Sequence, residues 1–388
     1  MTDKFKLTYA TMFNPPPELH TRFDEALADV KSNLGVEYGM LIDGQERFAE
    51  EKFNDRAPSD TDIVLGVFQK GAAQDAHAAL AAARQAFPAW SRLPWQERIA
   101  YLRKAADLID ERIFAISAVL SMEVGKNRME ALGDVAETAD LIRYACFQME
   151  KNAGFQVAMG NDPLVGYSAT NKSVLRPYGV WLIISPFNFP GALTGGPSGA
   201  ALVAGNTIVM KPATDTPFTV RLLAECFRDA GLPQGVFNYV TGPGRTLGQA
   251  LIESPEVDGV TFTGSYDVGM NIYRTFAQGR YVRPTILELG GKNPAIVSRN
   301  ADLERAAIGI VRSAFGLQGQ KCSACSRVFI EEPVYDVLVE KVVDLTKKLK
   351  VGDPTAQDVY LGPVVNQSSY DDYKEFIADL RRSGNILA

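Results

Sequence analysis

Three short stretches carry side chains whose types and spacing could do covalent chemistry. Cys322 lies in Gly319-Gln320-Lys321-Cys322-Ser323-Ala324-Cys325. A thiol next to a cation, in a turn rich in backbone N–H groups, can be held as a thiolate and act as a nucleophile. A lone Cys is more often a small buried hydrophobe. The Cys-x-x-Cys spacing to Cys325 also admits a redox pair, whereas zinc would want a second Cys pair or a nearby His, and neither occurs. Glu288 ends the apolar run Thr285-Ile286-Leu287 and is followed by Leu289-Gly290-Gly291. Burial there would raise its pKa toward general-base duty, while a pairing with Lys292 would make it structural. Asn188 sits in Ser185-Pro186-Phe187-Asn188-Phe189-Pro190, a Pro-bracketed loop directly after a predicted strand. A fixed amide donor suits an oxyanion, although Asn and Pro are also ordinary turn residues.

A second group of residues suits a nucleotide. Lys211 ends the predicted strand 207–210 and could reach a ribose or phosphate, or simply be a surface Lys. Thr263-Gly264-Ser265 leads from a strand into a helix, where N-terminal N–H groups can hold a pyrophosphate. Gly242-Pro243-Gly244, with Gly248 four residues on, is a looser version of the same device. Neither has the usual dinucleotide fingerprint spacing.

Residues of this kind need a scaffold that ends strands side by side. From about residue 173 short apolar runs alternate with helical ones: strands at 180–184, 207–210, 236–240 and 259–262, helices at 192–203, 216–229, 246–252 and 268–277. This alternation predicts an α/β fold with a Rossmann-like doubly wound parallel sheet, which places ligands at strand carboxyl ends. A second run is expected from 285–289 through 295–297, 303–315, 328–330 and 335–349. Upstream, helices are expected at 18–33, 74–87, 95–122 and 129–151, with a strand and turn at 41–45. The predicted division is 1–287, N-terminal helices and dinucleotide-binding domain, and 288–388, catalytic domain.

Composition narrows the classes. The 388 residues are 46% hydrophobic and 22% charged, with 40 basic against 46 acidic side chains, a net charge of −6. That argues against a nucleic-acid binder built on a basic face. Four Cys are too few for a disulfide scaffold, which points to a reducing, cytoplasmic compartment, and two His leave little for histidine-based chemistry or zinc. The uncharged stretch 177–210 is interrupted by Pro186, Pro190 and Pro197, so it reads as soluble core rather than a membrane span. Residues 1–6 lack the apolar region of a signal peptide.

Taken together, Pro186-Phe187-Asn188-Phe189-Pro190, Met210-Lys211-Pro212-Ala213, Phe262-Thr263-Gly264-Ser265, Glu288-Leu289-Gly290-Gly291-Lys292 and Gly319-Gln320-Lys321-Cys322 resemble, in order and spacing, the aldehyde dehydrogenase superfamily. The resemblance runs from about residue 40 to the end. The strings Gly319 to Arg327 and Glu123-Val124-Gly125-Lys126-Asn127 look most like its 1-pyrroline-5-carboxylate dehydrogenase branch. The resemblance implies an enzyme that oxidises an aldehyde to a carboxylic acid through a cysteine thioester, here glutamate semialdehyde to glutamate in proline catabolism. It implies Cys322 as nucleophile, Asn188 with the Cys322 backbone N–H as oxyanion donors, and Glu288 as the group that activates water. It implies NAD, with NADP possible, bound by Ile184, Ser185, Pro186, Phe187, Lys211, Thr214, Gly244, Gly248, Gly264, Ser265, Val268 and Leu289. Ser323 is implied at the substrate carboxylate, and no metal is implied. The carboxylate that usually clasps the adenine ribose falls at Thr214, with Asp215 as a substitute. The full-length family implies a homo-oligomer, with no nucleic-acid or membrane partner. Its pattern continues past residue 388, and no Glu-x-Phe-Gly-Pro string occurs, so 288–388 is expected to be a truncated catalytic domain. Another semialdehyde dehydrogenase of the superfamily, or a truncated non-catalytic cofactor-binding protein, is the alternative.

Overall fold

The computed structural model describes residues 15–388; the 1–6 stretch considered for a signal peptide lies outside them. Helix α1 (Pro17–Ser32) buries Leu19, Phe23 and Leu27, which recur every fourth residue and so share one face. Five short strands follow: β1 (Val36–Tyr38), β2 (Met40–Ile42), β3 (Gln45–Arg47), β4 (Lys52–Arg56) and β5 (Val64–Gln69). Asp43 and Gly44, with φ of 54° and 73°, form the two-residue turn between β2 and β3, the backbone shape that matches strand twist. Helices α2 (Ala73–Arg92), α3 (Trp95–Glu111), α4 (Ile113–Val124) and α5 (Arg128–Lys151) come next. The 95–122 segment is therefore two helices rather than the one expected. Arg112, at φ −97° and ψ 11°, breaks the run, so that α4 leaves the line of α3 and is buried almost all round.

After the hairpin of β6 (Gln156–Ala158) and β7 (Lys172–Val174) the expected alternation begins. It consists of β8 (Val180–Ile184), α6 (Ala192–Ala204), β9 (Thr207–Lys211), α7 (Pro217–Asp229), β10 (Phe237–Tyr239), α8 (Gln249–Glu253), β11 (Gly259–Thr263), α9 (Tyr266–Ala277) and β12 (Thr285–Glu288). The chain then forms β13 (Asn293–Val297), α10 (Leu303–Phe315), β14 (Cys325–Ile330), α11 (Tyr335–Lys347) and α12 (Gln367–Ser383).

The main sheet has the order β12-β11-β8-β9-β10-β2-β3; the five strands from β12 to β10 are parallel, and β2 and β3 are antiparallel additions. Its central strands are covered on both faces, which is why they read as unbroken apolar runs. Side chains alternate between the two faces as strand geometry demands. Trp181 and Ile183 enter a core with Leu202, Met210 and Phe227, while Val180 and Leu182 enter one with Leu80, Val209 and Leu251. A third core joins α1 and α4 to the small sheet β1-β5-β4.

The strand at 285–288, expected to open the second run, instead pairs in parallel with β11 and forms the edge of the main sheet. The second unit is the parallel pair β13 and β14, with its own core of Val297, Ala307, Ile310 and Leu338. The change from one sheet to the other falls in the segment 289–292, between β12 and β13.

Candidate active site

Parallel register brings the carboxyl ends of four adjacent strands into line. Glu288 of β12 is opposite Thr263 of β11, Phe262 is opposite Ile184 of β8, and Ile184 is opposite Lys211 of β9. The loops that leave these ends carry Ser185, Asn188, Gly264 and Ser265, so stretches far apart in sequence meet along one edge.

The nucleotide-type residues fall along this edge. Lys211 is buried, and its Nζ donates to the Pro212 carbonyl at 3.0 Å. Desolvation with no carboxylate nearby pulls its pKa down to about 8. Its aliphatic arm lies over Gly248, where an added Cβ would come within 3.4 Å of Lys211 Cε. The Ser185 N–H donates to the Lys211 carbonyl at 3.2 Å, but the Ser185 hydroxyl is buried without a partner. Gly244 is open, with nothing within 4 Å of a Cβ placed there. Ser265 caps α9, accepting from the Val268 N–H. Ile184, Pro186 and Phe187 are half-buried beside it, and Thr214 is exposed. A buried ammonium and an orphaned hydroxyl beside an open Gly turn and a helix N-terminus fit a ligand bearing hydroxyls and phosphates.

Two residues of this group behave otherwise than expected. Leu289 packs into the core under α9, where an added Cβ on Gly269 would come within 2.5 Å of it. Asp215, suggested as a substitute ribose clamp, accepts from Asn366 Nδ2 at 3.1 Å and is half-buried near Asp55 and Glu123. Burial raises all three of these carboxyls, Glu123 to about 7. Asp215 is thus drawn into an acidic core beside the α7 N-terminus, where Glu123 accepts from the Phe218 and Thr219 N–H groups.

Cys322 lies on an exposed turn between α10 and β14. Leu317, Gln318 and Gly319 enter it with φ of 49°, 55° and 74°, three successive left-handed residues. Two of the three carry side chains that disfavour this region, at a cost of about 1–2 kcal/mol each. Side chains from other elements hold the turn in place. Glu130 of α5 accepts from the Leu317 N–H at 3.1 Å and pairs with Lys321 Nζ at 2.6 Å, so one carboxylate grips both ends. Asn293 Nδ2 donates to the Cys322 carbonyl at 2.7 Å. Among the described residues no acceptor takes up the Cys322 backbone N–H.

Asn188 reaches this turn from the main sheet. Its Nδ2 donates to the carbonyl of Gln320, two residues before Cys322, at 2.8 Å, and its Oδ1 is buried without a partner. The second amide N–H remains for another acceptor. Ser323 is exposed beside Cys322.

Two expectations about activation are corrected here. The Lys321 ammonium is paired with Glu130 rather than left free for the thiol. Glu288 is exposed rather than buried, because β12 is an edge strand, and among the described residues no ion pair forms with Lys292 or any other cation. Its side chain lines a groove of about 1050 Å³ with Trp181, Thr261, Ile286 and Pro197, on the α6 side of the sheet. Of the other three thiols, burial pushes Cys146 and Cys226 up to about 11 and 12, so these two stay protonated near neutral pH. The nucleophile choice thus falls on the 322–325 turn.

Lys126, Glu130, Asp134, Phe189 and Asn293 went unassigned from sequence. The i, i+4 spacing of Glu130 and Asp134, just after the Glu123-Val124-Gly125-Lys126-Asn127 string, was the available signal.

Comparison with known proteins places the chain in a family. Residues 46–388 match the Aldehyde dehydrogenase family. The chain is 40% identical over 369 residues to a 1-pyrroline-5-carboxylate dehydrogenase of Geobacillus sp. strain WCH70, covering 94% of this chain and 71% of that protein. Among solved structures, the 1-pyrroline-5-carboxylate dehydrogenase from Thermus with bound NAD superposes with a TM-score of 0.90 at 34% identity, covering 97% of this chain and 73% of that one. Proline utilization A from Bdellovibrio bacteriovorus, inactivated by N-propargylglycine, also superposes at 0.90 with 33% identity; the match covers 95% of this chain and 38% of that longer one.

Proposed function

The chain belongs to the aldehyde dehydrogenase family, and from that premise we propose that it oxidises glutamate semialdehyde, the open form of 1-pyrroline-5-carboxylate, to glutamate in proline catabolism. The observation that carries the reading is the Asn188 amide, oriented by the Gln320 carbonyl toward the turn that bears the one exposed thiol among the described residues. Cys322 adds through sulfur to the aldehyde carbon. The oxygen that gains charge is taken by the free Asn188 N–H and the Cys322 backbone N–H, two fixed donors that need not reorganise. When bound, NAD, or NADP, supplies the hydride acceptor. Lys211, Ser185 and the 264–268 turn hold its hydroxyls and phosphates, and Thr214, lacking a charge, leaves a 2′-phosphate tolerated.

Sulfur leaves the resulting thioester when water attacks it. Glu288, without a cation to hold it, is the carboxylate that takes the proton from that water. Ser323 donates to the substrate carboxylate. In this reading residues 1–287 bind the cofactor and 288–388 bear the nucleophile. We place the protein in the cytoplasm and read it as a homo-oligomer, the association being supported by the exposed apolar residues Val157, Met159 and Leu175 in and beside the β6–β7 hairpin. Among the described residues no helix is long and apolar enough to cross a membrane.

A substrate panel tests the proposal: 1-pyrroline-5-carboxylate should exceed other semialdehydes in kcat/KM by at least about tenfold, the size of a 1.4 kcal/mol preference. Cys322→Ser should abolish turnover. Glu288→Gln should still release a first burst of reduced cofactor, because the thioester forms before water is needed. Cofactor binding without turnover, or a different preferred aldehyde, would overturn the reading.

A further inference from the structure

Among the described residues one ion pair has both side chains wholly out of solvent. Lys126 Nζ lies 2.9 Å from Asp134 Oδ2, with both side chains fully buried. A pair in this position is a weak device for stability, since the cost of removing two charges from water offsets much of their attraction. Its contacts concern geometry. Asp134 Oδ1 accepts from the Ala192 N–H at 2.7 Å and so fixes the first residue of α6. The Lys126 ammonium lies 3.5 Å from the centroid of the Phe189 ring. The segment from Asn188 to Ala192 is thus gripped at Phe189 by the cation and at Ala192 by the carboxylate. Gly191 permits this approach, because a Cβ there would come within 2.9 Å of Asp134 Oδ1 and 2.8 Å of Thr138 Oγ1.

The same helix grips the other half of the site. Glu130, one turn before Asp134, holds the Leu317 N–H and Lys321, and the Lys321 ammonium lies 5.8 Å from the same Phe189 ring. Glu130 and Asp134 therefore each bind one backbone N–H and one ammonium, Glu130 also accepting from Asn127 Nδ2. One serves the loop that bears Asn188, and the other serves the turn that bears Cys322.

We propose that the Lys126–Asp134 pair is a positioning device for the reaction, setting the Asn188 amide in register with the Cys322 turn. The proposal rests on the reading of Asn188 as an oxyanion donor. Neither Lys126 nor Asp134 touches substrate; both act through the 188–192 segment.

The test removes both charges together, so that no lone ion is left in the core. Lys126→Met/Asp134→Asn keeps an amide oxygen for the Ala192 N–H. It should lower kcat roughly 10- to 100-fold, the scale of a misplaced catalytic group, with the KM for cofactor unchanged. In an Asn188→Ala background the same pair of changes should cost less than about twofold more, because the group it positions is gone. A second readout needs no turnover. In a Cys325→Ala background, the aldehyde concentration that protects Cys322 from iodoacetamide without cofactor should rise in parallel. Equal losses with and without Asn188, or no loss, would overturn the proposal. An Asn188→Ala enzyme that turns over like wild type would instead overturn the oxyanion reading. Should the double variant fail to fold, Phe189→Leu leaves the ion pair intact and removes the ring. It should show the same dependence on Asn188, and additivity there would also reject the idea.

Discussion

The two halves of the site are held by different means. The nucleotide edge is built from strand ends whose alignment follows from backbone register: Lys211, Ile184, Thr263 and Glu288 are placed by ladders of hydrogen bonds between strands. No single side chain decides where β9 stops beside β8. The Cys322 turn has no such ladder. It leaves α10 through three left-handed residues, and its position depends on Glu130, Asn293 and the Gln320 carbonyl meeting their partners. A site of the first kind tolerates the loss of one contact, whereas one of the second kind moves when a clamp is cut.

Cutting a clamp should therefore have the largest effect. Glu130→Ala frees the Leu317 N–H and Lys321 together. We expect kcat to fall about 10- to 100-fold, with the Kd for cofactor within twofold of wild type by fluorescence titration. Glu130→Gln should recover part of the loss, since it can still accept from Leu317. Equal damage to cofactor binding would erase the distinction between the two regions.

On the register-built edge, removing a contact should weaken binding without disturbing the chemistry. Lys211→Met should raise the cofactor Kd roughly tenfold, the range of a hydrogen bond from a charged donor, and leave kcat at saturating cofactor nearly unchanged. Its pH behaviour sharpens the point. Burial lowers the Lys211 pKa from 10.5 to about 8, so the ammonium is lost as pH rises through 8. Wild-type affinity should fall between pH 7 and 9, and the profile of the Met variant should be flat.

The smallest expected effect on activity comes from Glu123, which lies beside the α7 N-terminus and bears on stability instead. Glu123 has its pKa raised from 4.5 to about 7 by burial, against the opposing hydrogen bonds from Thr219 and Phe218. The folded state then binds a proton that the unfolded chain has released, so stability declines as pH rises from about 4.5 to 7 and levels off above that. Urea denaturation across this range should show the decline, and Glu123→Gln should reduce it.

The same contrast explains what could be read from sequence. Strands β8, β9 and β11 are covered on both faces, so their unbroken apolar runs announce them, and the Gly and Pro that follow mark the loops where Asn188 and Ser265 stand. Strands β1 and β4 are short and partly polar and went unpredicted; β5, a largely apolar run of six residues interrupted by Gly66, was also missed. Helix α12 carries Tyr370, Tyr373, Phe376, Ile377 and Leu380 at helical spacing, but that stripe was not read from the sequence, and the fold buries none of it. Lys126, Glu130 and Asp134 look like a solvated helical face until the fold covers them, because most of the partners of their side chains lie 58 to 191 residues away; the exceptions are the Lys126–Asp134 pair and the bond that Asn127 Nδ2 donates to Glu130. Glu288 failed in the opposite sense. An apolar run cannot tell a central strand from an edge one, and the exposure of this carboxylate follows from β12 having a neighbour on one side only.

The left-handed run at 317–319 has a last consequence. Its angles are coupled, since no one residue can return to an ordinary conformation while Glu130 still ties both ends of the turn. The turn should therefore shift as a unit once that tie is cut. Thiol reactivity should respond to changes in α5 as a threshold, staying high until the carboxylate lets go and then collapsing.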